Sequence, residues 1–139
     1  MRLIFLLLGI LYWQPTEVKF FYKGSNYQFE LPDSDYKLTE TNYTEGTYRI
    51  YAFRNGNILL HTGGAVRKPI LRGRDYIIEE TKEVDGKLIR TGHNRKTKLK
   101  WCELTTFRNE ITLLFENVDE TNLKQFQRTI GSLKVLQTK

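Results

Sequence analysis

A chain of 139 residues, 40% hydrophobic and 13% aromatic, is long enough to close one core and too apolar to remain disordered. Its net charge of +6 is unevenly placed: residues 67–100 hold eleven Lys and Arg against five Asp and Glu, and the rest of the chain holds eleven of each. One cysteine, Cys102, excludes an intrachain disulfide, and with only His61 and His93 beside it the chain lacks the donors of a structural zinc site.

Met1-Arg2 precedes eleven uncharged residues, Leu3 to Trp13. As a helix these would span about 16 Å, against roughly 30 Å of membrane hydrocarbon. A short positive start and a short apolar run predict a secretory signal peptide over residues 1–16 rather than a stable transmembrane span. The chain is therefore expected to be extracytoplasmic, periplasmic or secreted, with residues 17–139 forming a single domain. No small-x-small pattern marks a cleavage site before Gln14-Pro15, and no Cys follows the run as a lipoprotein anchor would require.

From there the signal is short alternating runs broken by turn residues, the pattern of half-buried strands. Val18 to Tyr22 is apolar, and Lys23-Gly24-Ser25-Asn26 turns it. Tyr27, Phe29 and Leu31 share one face of the next strand, which Pro32 ends because proline cannot donate to a ladder. A weaker strand is expected near Tyr36–Thr39 and a strong one from Thr47 to Phe53. Asn55-Gly56 suits the centre of a type I′ turn, with Ile58 to His61 returning.

Gly63-Gly64 and Pro69 then break the pattern, and Ala65 to Arg74 reads as a loop. Tyr76 to Val84, Asp85-Gly86 and Lys87 to Thr91 form a second hairpin, followed by a polar tip from His93 to Thr97. Lys98 to Phe107 and Glu110 to Val118 flank a third turn at Arg108-Asn109. In the last strand Ile111, Leu113 and Phe115 share a face.

The period then changes. Leu123, Phe126, Ile130 and Leu133 recur at spacings of three and four, which predicts a helix from Glu120 to Leu136 with Asp119 as its N-cap. Gly131 would let that helix lie close to the sheet. The expected fold is α+β: a mainly antiparallel sheet of six to eight hairpin-connected strands, packed by one C-terminal amphipathic helix.

Tyr27-Gln28-Phe29-Glu30-Leu31-Pro32 resembles the opening strand and proline of the PsbP/DcrB-like group of exported domains. Phe126-Gln127-Arg128-Thr129-Ile130-Gly131-Ser132-Leu133-Lys134-Val135 is similar to that group's closing helix, and Trp101-Cys102-Glu103 to its Trp-containing penultimate strand. The resemblance covers residues 25 to 136 as a layout. It implies an antiparallel sheet flanked by helices, and an accessory or binding role in the cell envelope rather than catalysis.

Five residues stand out as a candidate binding site: Arg72, Arg74, Arg95, Lys96 and Lys98. They belong to two basic groups, one with Arg67 and Lys68, the other with Arg90, His93 and Lys100. If neighbouring strands bring the groups together, their field would attract an anionic ligand or an acidic protein partner. Export makes nucleic acid an unlikely target. The competing reading is a solvated strand face whose lysines guard an edge.

Other constellations are weaker. His61 and Cys102 could form an imidazole–thiolate pair in a small hydrolase- or thiol-type enzyme, if the fold placed them in contact. Thr62-Gly63-Gly64-Ala65 lacks the Lys-Ser/Thr of a phosphate loop. Asn42-Tyr43-Thr44 has the form of an N-glycosylation acceptor. Glu79 and Glu80, adjacent on a strand, would face opposite ways and cannot act as a pair. No catalytic motif and no cofactor or metal site is expected. The sequence points to a non-enzymatic exported domain that binds through its basic segment, or else to a structural subunit of an envelope complex.

Overall fold

The structure, a computed structural model, describes residues 16–44, 46–63, 71, 73–106 and 110–136. Residues 1–15, Arg72 and the turn expected at Arg108-Asn109 lie outside these. The strands are β1 (Thr16–Tyr22), β2 (Ser25–Leu31), β3 (Tyr36–Tyr43), β4 (Gly46–Phe53), β5 (Gly56–Gly63), β6 (Tyr76–Val84), β7 (Lys87–Asn94), β8 (Lys100–Thr106), β9 (Ile111–Val118) and β10 (Lys134–Leu136). The helix α1 (Leu123–Ser132) lies between β9 and β10. Seven strands form one sheet in the order β3-β4-β5-β9-β8-β7-β6, and β1-β2-β10 form a second. Every ladder is antiparallel. The α+β class and the C-terminal helix are thus as the periodicities predict, with ten strands among the described residues.

Three two-residue turns lie wholly within the described residues, and two of them follow from local chemistry. Lys23-Gly24 and Asp85-Gly86 each join strands through two residues at positive φ (44° and 82°; 48° and 80°), the backbone of a type I′ turn. The third differs from expectation. Phe53 pairs with Gly56, so the loop is Arg54-Asn55, and neither has positive φ. Gly56 instead opens β5 at φ 154°, where a Cβ would meet Val118 Cγ2 at 2.6 Å and the Phe126 ring at 3.0 Å.

One face of the large sheet carries the core. Tyr51, Phe53, Ile58, Leu60, Leu104, Leu113 and Phe115 meet Phe20, Phe29 and Leu31 from the small sheet and Phe126, Ile130 and Leu133 from the helical segment. Each such side chain contributes about 1.5–3 kcal/mol when fully buried. Phe126 stands edge-on to Phe53 and Phe115, both ring centroids at 5.8 Å. Phe29 stands edge-on to Tyr51 at 6.1 Å.

The helix is shorter than its apolar stripe. Asp119 Oδ1 accepts from the Asn122 amide at 3.0 Å, so the aspartate does bind a backbone donor at this corner. The helix itself begins only at Leu123, with Asn122 in the capping position and making no side-chain cap. At Leu133 the backbone extends, and Lys134, Val135 and Leu136 pair with Gln28, Tyr27 and Asn26 of β2. Gly131 does not mediate close packing: it is exposed, and an added Cβ would meet nothing within 4 Å. Among the described residues no helix is long and apolar enough to cross a membrane.

The opposite face of the large sheet is also buried at its centre, by His61, Trp101, Glu103, Thr105, Thr112 and Leu114. Tyr76 on β6 donates to Glu116 Oε2 on β9 at 3.3 Å, across β7 and β8. Three strand spacings amount to about 14 Å, which these two long side chains bridge by lying across β7 and β8. Burial and the neighbouring Glu116 carboxylate together raise the pKa of the Tyr76 phenol.

Candidate functional site

The basic residues are sorted by turn geometry and strand face. Asn94 ends β7, and its Oδ1 accepts from the amides of Lys96 (2.9 Å) and Thr97 (3.1 Å). Its backbone closes the turn, with Lys98 N donating to Asn94 O and Asn94 N to Leu99 O, both at 2.8 Å. Lys98 takes φ 63° to complete the reversal. This tip is tied to the approach to β6: Arg95 N donates to Asp75 O at 2.6 Å. The structure therefore brings Arg74 to the same end of the sheet as Arg95, Lys96 and Lys98. Arg72, with Arg67 and Lys68, lies outside the described residues.

At this end Asp75 is shared by Arg95 (3.7 Å) and Lys96 (3.5 Å), whose side chains remain 59% and 73% exposed. Arg74 and Lys98 are exposed as well. Four cations against one carboxylate leave a net +3, held on hydrogen-bonded backbone.

The other basic residues are diverted. Arg90 lies on the face opposite the core and pairs with the buried Glu103 at 3.3 Å. Lys100 lies between Glu79 at 3.5 Å and Glu120 at 3.6 Å. His93, expected in the loop, is part of β7, and its Nδ1 is hydrogen-bonded to Glu79 Oε1. A shift of register between Ile78 and Glu80 makes Glu79 an extra residue, turned toward His93 and Lys100. The hydrogen bond with His93, with the nearby Lys100 ammonium, holds the Glu79 carboxyl below its usual pKa. Glu79 does not face the same way as Glu80, and it engages His93 and Lys100, two residues grouped with the basic segment.

His61 and Cys102 do not meet. His61 pairs with Tyr48 and Thr112, whereas Cys102 pairs with Thr91 and Phe115. Thr112 and Phe115 are three apart on β9, so the two residues occupy opposite faces of the sheet. Cys102 belongs to the core, and burial pushes its thiol up to about 12, leaving essentially no thiolate at neutral pH. His61 is buried under the Tyr48 ring, centroids 4.3 Å apart.

Thr62 and Gly63 complete β5 rather than opening a phosphate loop. Asn42 is exposed on β3, with its Oδ1 accepting from Thr47 at 2.9 Å.

Three features were not visible from composition. On the side of the large sheet opposite the core, Thr41, Tyr43, Thr44, Tyr48 and Ile50 line a cavity of about 530 Å³. Beside it β3 forms an edge eight residues long, every one exposed. Between β1 and the β4–β5 pair lies a cleft of about 550 Å³. No family model, curated protein or solved structure matches the chain.

Proposed function

We propose that this chain is a non-enzymatic exported accessory domain that binds an anionic partner through Arg74, Arg95, Lys96 and Lys98. The observation that carries this reading is a turn locked by Asn94 and Asp75 on which Arg95 and Lys96 share the Asp75 carboxylate and Arg74 and Lys98 stand exposed at the same end. A rigid tip holds charge in place without a large ordering cost on binding. Export is supported by the short apolar start, and an accessory envelope role by the resemblance of residues 25–136 to PsbP/DcrB-like domains.

Heparin is a suitable polyanionic probe. With three or four ion contacts, affinity should fall roughly 20- to 100-fold between about 50 and 200 mM salt. Replacing all four residues by Gln should flatten that dependence. An affinity independent of salt, or unchanged in the quadruple variant, would remove the electrostatic reading.

A second reading, a structural subunit of an envelope complex, is favoured by β3. Its eight residues pair with β4 without a bulge and present an uncovered edge, which invites strand addition. On this reading sedimentation velocity shows an s-value that rises with concentration, and Leu38→Lys abolishes the rise. A constant s-value excludes it.

A further inference from the structure

We infer that the cleft between the two sheets is a second binding site, distinct from the basic tip, for a small organic anion: an oxyanion group carried on a flat apolar body. The site arises where the core face of the large sheet runs past its last apolar side chains. On β4, Tyr51 and Phe53 are in the core, but the next residues of the same face are Arg49 and Thr47. On β5, Leu60 is followed on that face by Thr62, which pairs directly with Thr47. Two hydroxyls and a guanidinium therefore stand where the core pattern would place apolar residues.

The facing wall comes from β1, the edge strand of the small sheet. Phe20 and Tyr22 face the large sheet, and alternation leaves Lys19 and Phe21 at the rim of the cleft. Phe21 is 66% exposed, although it is a large apolar ring beside a cavity. The volume, about 550 Å³, is that of a small-molecule site, and the boundary between two layers is a usual place for one.

The electrostatics select the ligand's sign. Among the described residues, Lys19 and Arg49 are the charged ones of the lining, with no carboxylate beside them. Two of the acids close by are engaged. Glu40 accepts from Arg49 Nε at 2.8 Å, which leaves the terminal guanidinium nitrogens for another acceptor. Glu110, whose carbonyl accepts from Gly63 N, is bound to Lys23 Nζ at 2.6 Å. The floor is backbone: Gly46 and Gly63 are paired, and a Cβ on Gly46 would stand 2.3 Å from Thr62 O. An oxyanion can thus be held by Arg49 and the two threonine hydroxyls, with Lys19 at the rim, while its apolar body lies against Tyr22.

The test is an NMR titration of the uniformly ¹⁵N-labelled chain with benzoate, phenyl phosphate, inorganic phosphate and neutral benzamide. The inference expects saturable shifts at amides 19–22, 47–49 and 62–63 with at least one of the two aromatic anions, and weaker effects with inorganic phosphate and benzamide. Lys19→Gln, an exposed change that leaves the core intact, and Arg49→Gln should each weaken binding by about tenfold or more. Gln at Arg95 and Lys96 should leave it unchanged. Shifts that do not saturate, that are as large with benzamide, or that gather at residues 94–98 overturn the inference. So does affinity unaltered in both cleft variants.

Discussion

Gly92→Ala is expected to cost about 3 kcal/mol or more, the upper range for forcing atoms into a packed interior. Gly92 sits in β7 between Ile78 on β6 and Trp101 on β8. A Cβ there would lie 1.7 Å from Ile77 O and 2.7 Å from Trp101 Cζ2. The first atom is backbone, so relief requires β6 to move away from β7. The second belongs to a buried indole with little room to turn. Small domains have only about 5–15 kcal/mol in total. Urea denaturation should show the loss in midpoint. Hydrogen exchange should show β6 opening first, taking with it the Asp75 carbonyl that holds the basic tip. A variant as stable as the parent would mean that β6 and β7 are not in this register.

Phe126→Ala is the second large effect, about 3–5 kcal/mol. The ring is buried between Phe53 and Phe115 and touches the space that Gly56 leaves vacant. Its removal opens a void bordered by the helix, the β4–β5 turn and β9, none of which can close independently. Gly131→Ala on the same helix supplies the contrast. That position is exposed and open, so alanine should raise stability by up to about 1 kcal/mol. Thermal melts of the two variants should therefore move in opposite directions.

These residues show which parts of the fold could be read in advance. The apolar spacing of Leu123, Phe126, Ile130 and Leu133 identified the buried stripe, because that pattern is a local property of a helix. Its end was not legible. Val135 and Leu136 continue the apolar run, yet they extend to pair with β2, whose backbone groups would otherwise lack a neighbour on that side. Lys23-Gly24 and Asp85-Gly86 were legible because positive φ is demanded by the turn itself. Asn55-Gly56 was misplaced by one residue because Gly56 answers to Phe126 and Val118, far away in sequence.

The candidate site divides in the same way. Composition located the excess of positive charge, and the structure keeps Arg74, Arg95, Lys96 and Lys98 exposed at one end. It could not show that Arg90 turns to Glu103, or that an extra residue in β6 presents Glu79 to His93 and Lys100. Pairing across strands decides those fates. The cleft was hidden for a related reason. Lys19 and Arg49 lie inside expected strands and Thr62 at an expected loop, and only the meeting of the two sheets brings them to one cleft.

Mapping a short heparin oligosaccharide onto the ¹⁵N-labelled chain at low salt decides whether the Asn94–Asp75 tip is where an anionic partner binds. The largest amide shifts are expected at residues 74–76 and 94–98, disappearing together as salt is raised. Shifts centred elsewhere on the sheets, with those amides unmoved, would contradict that placement.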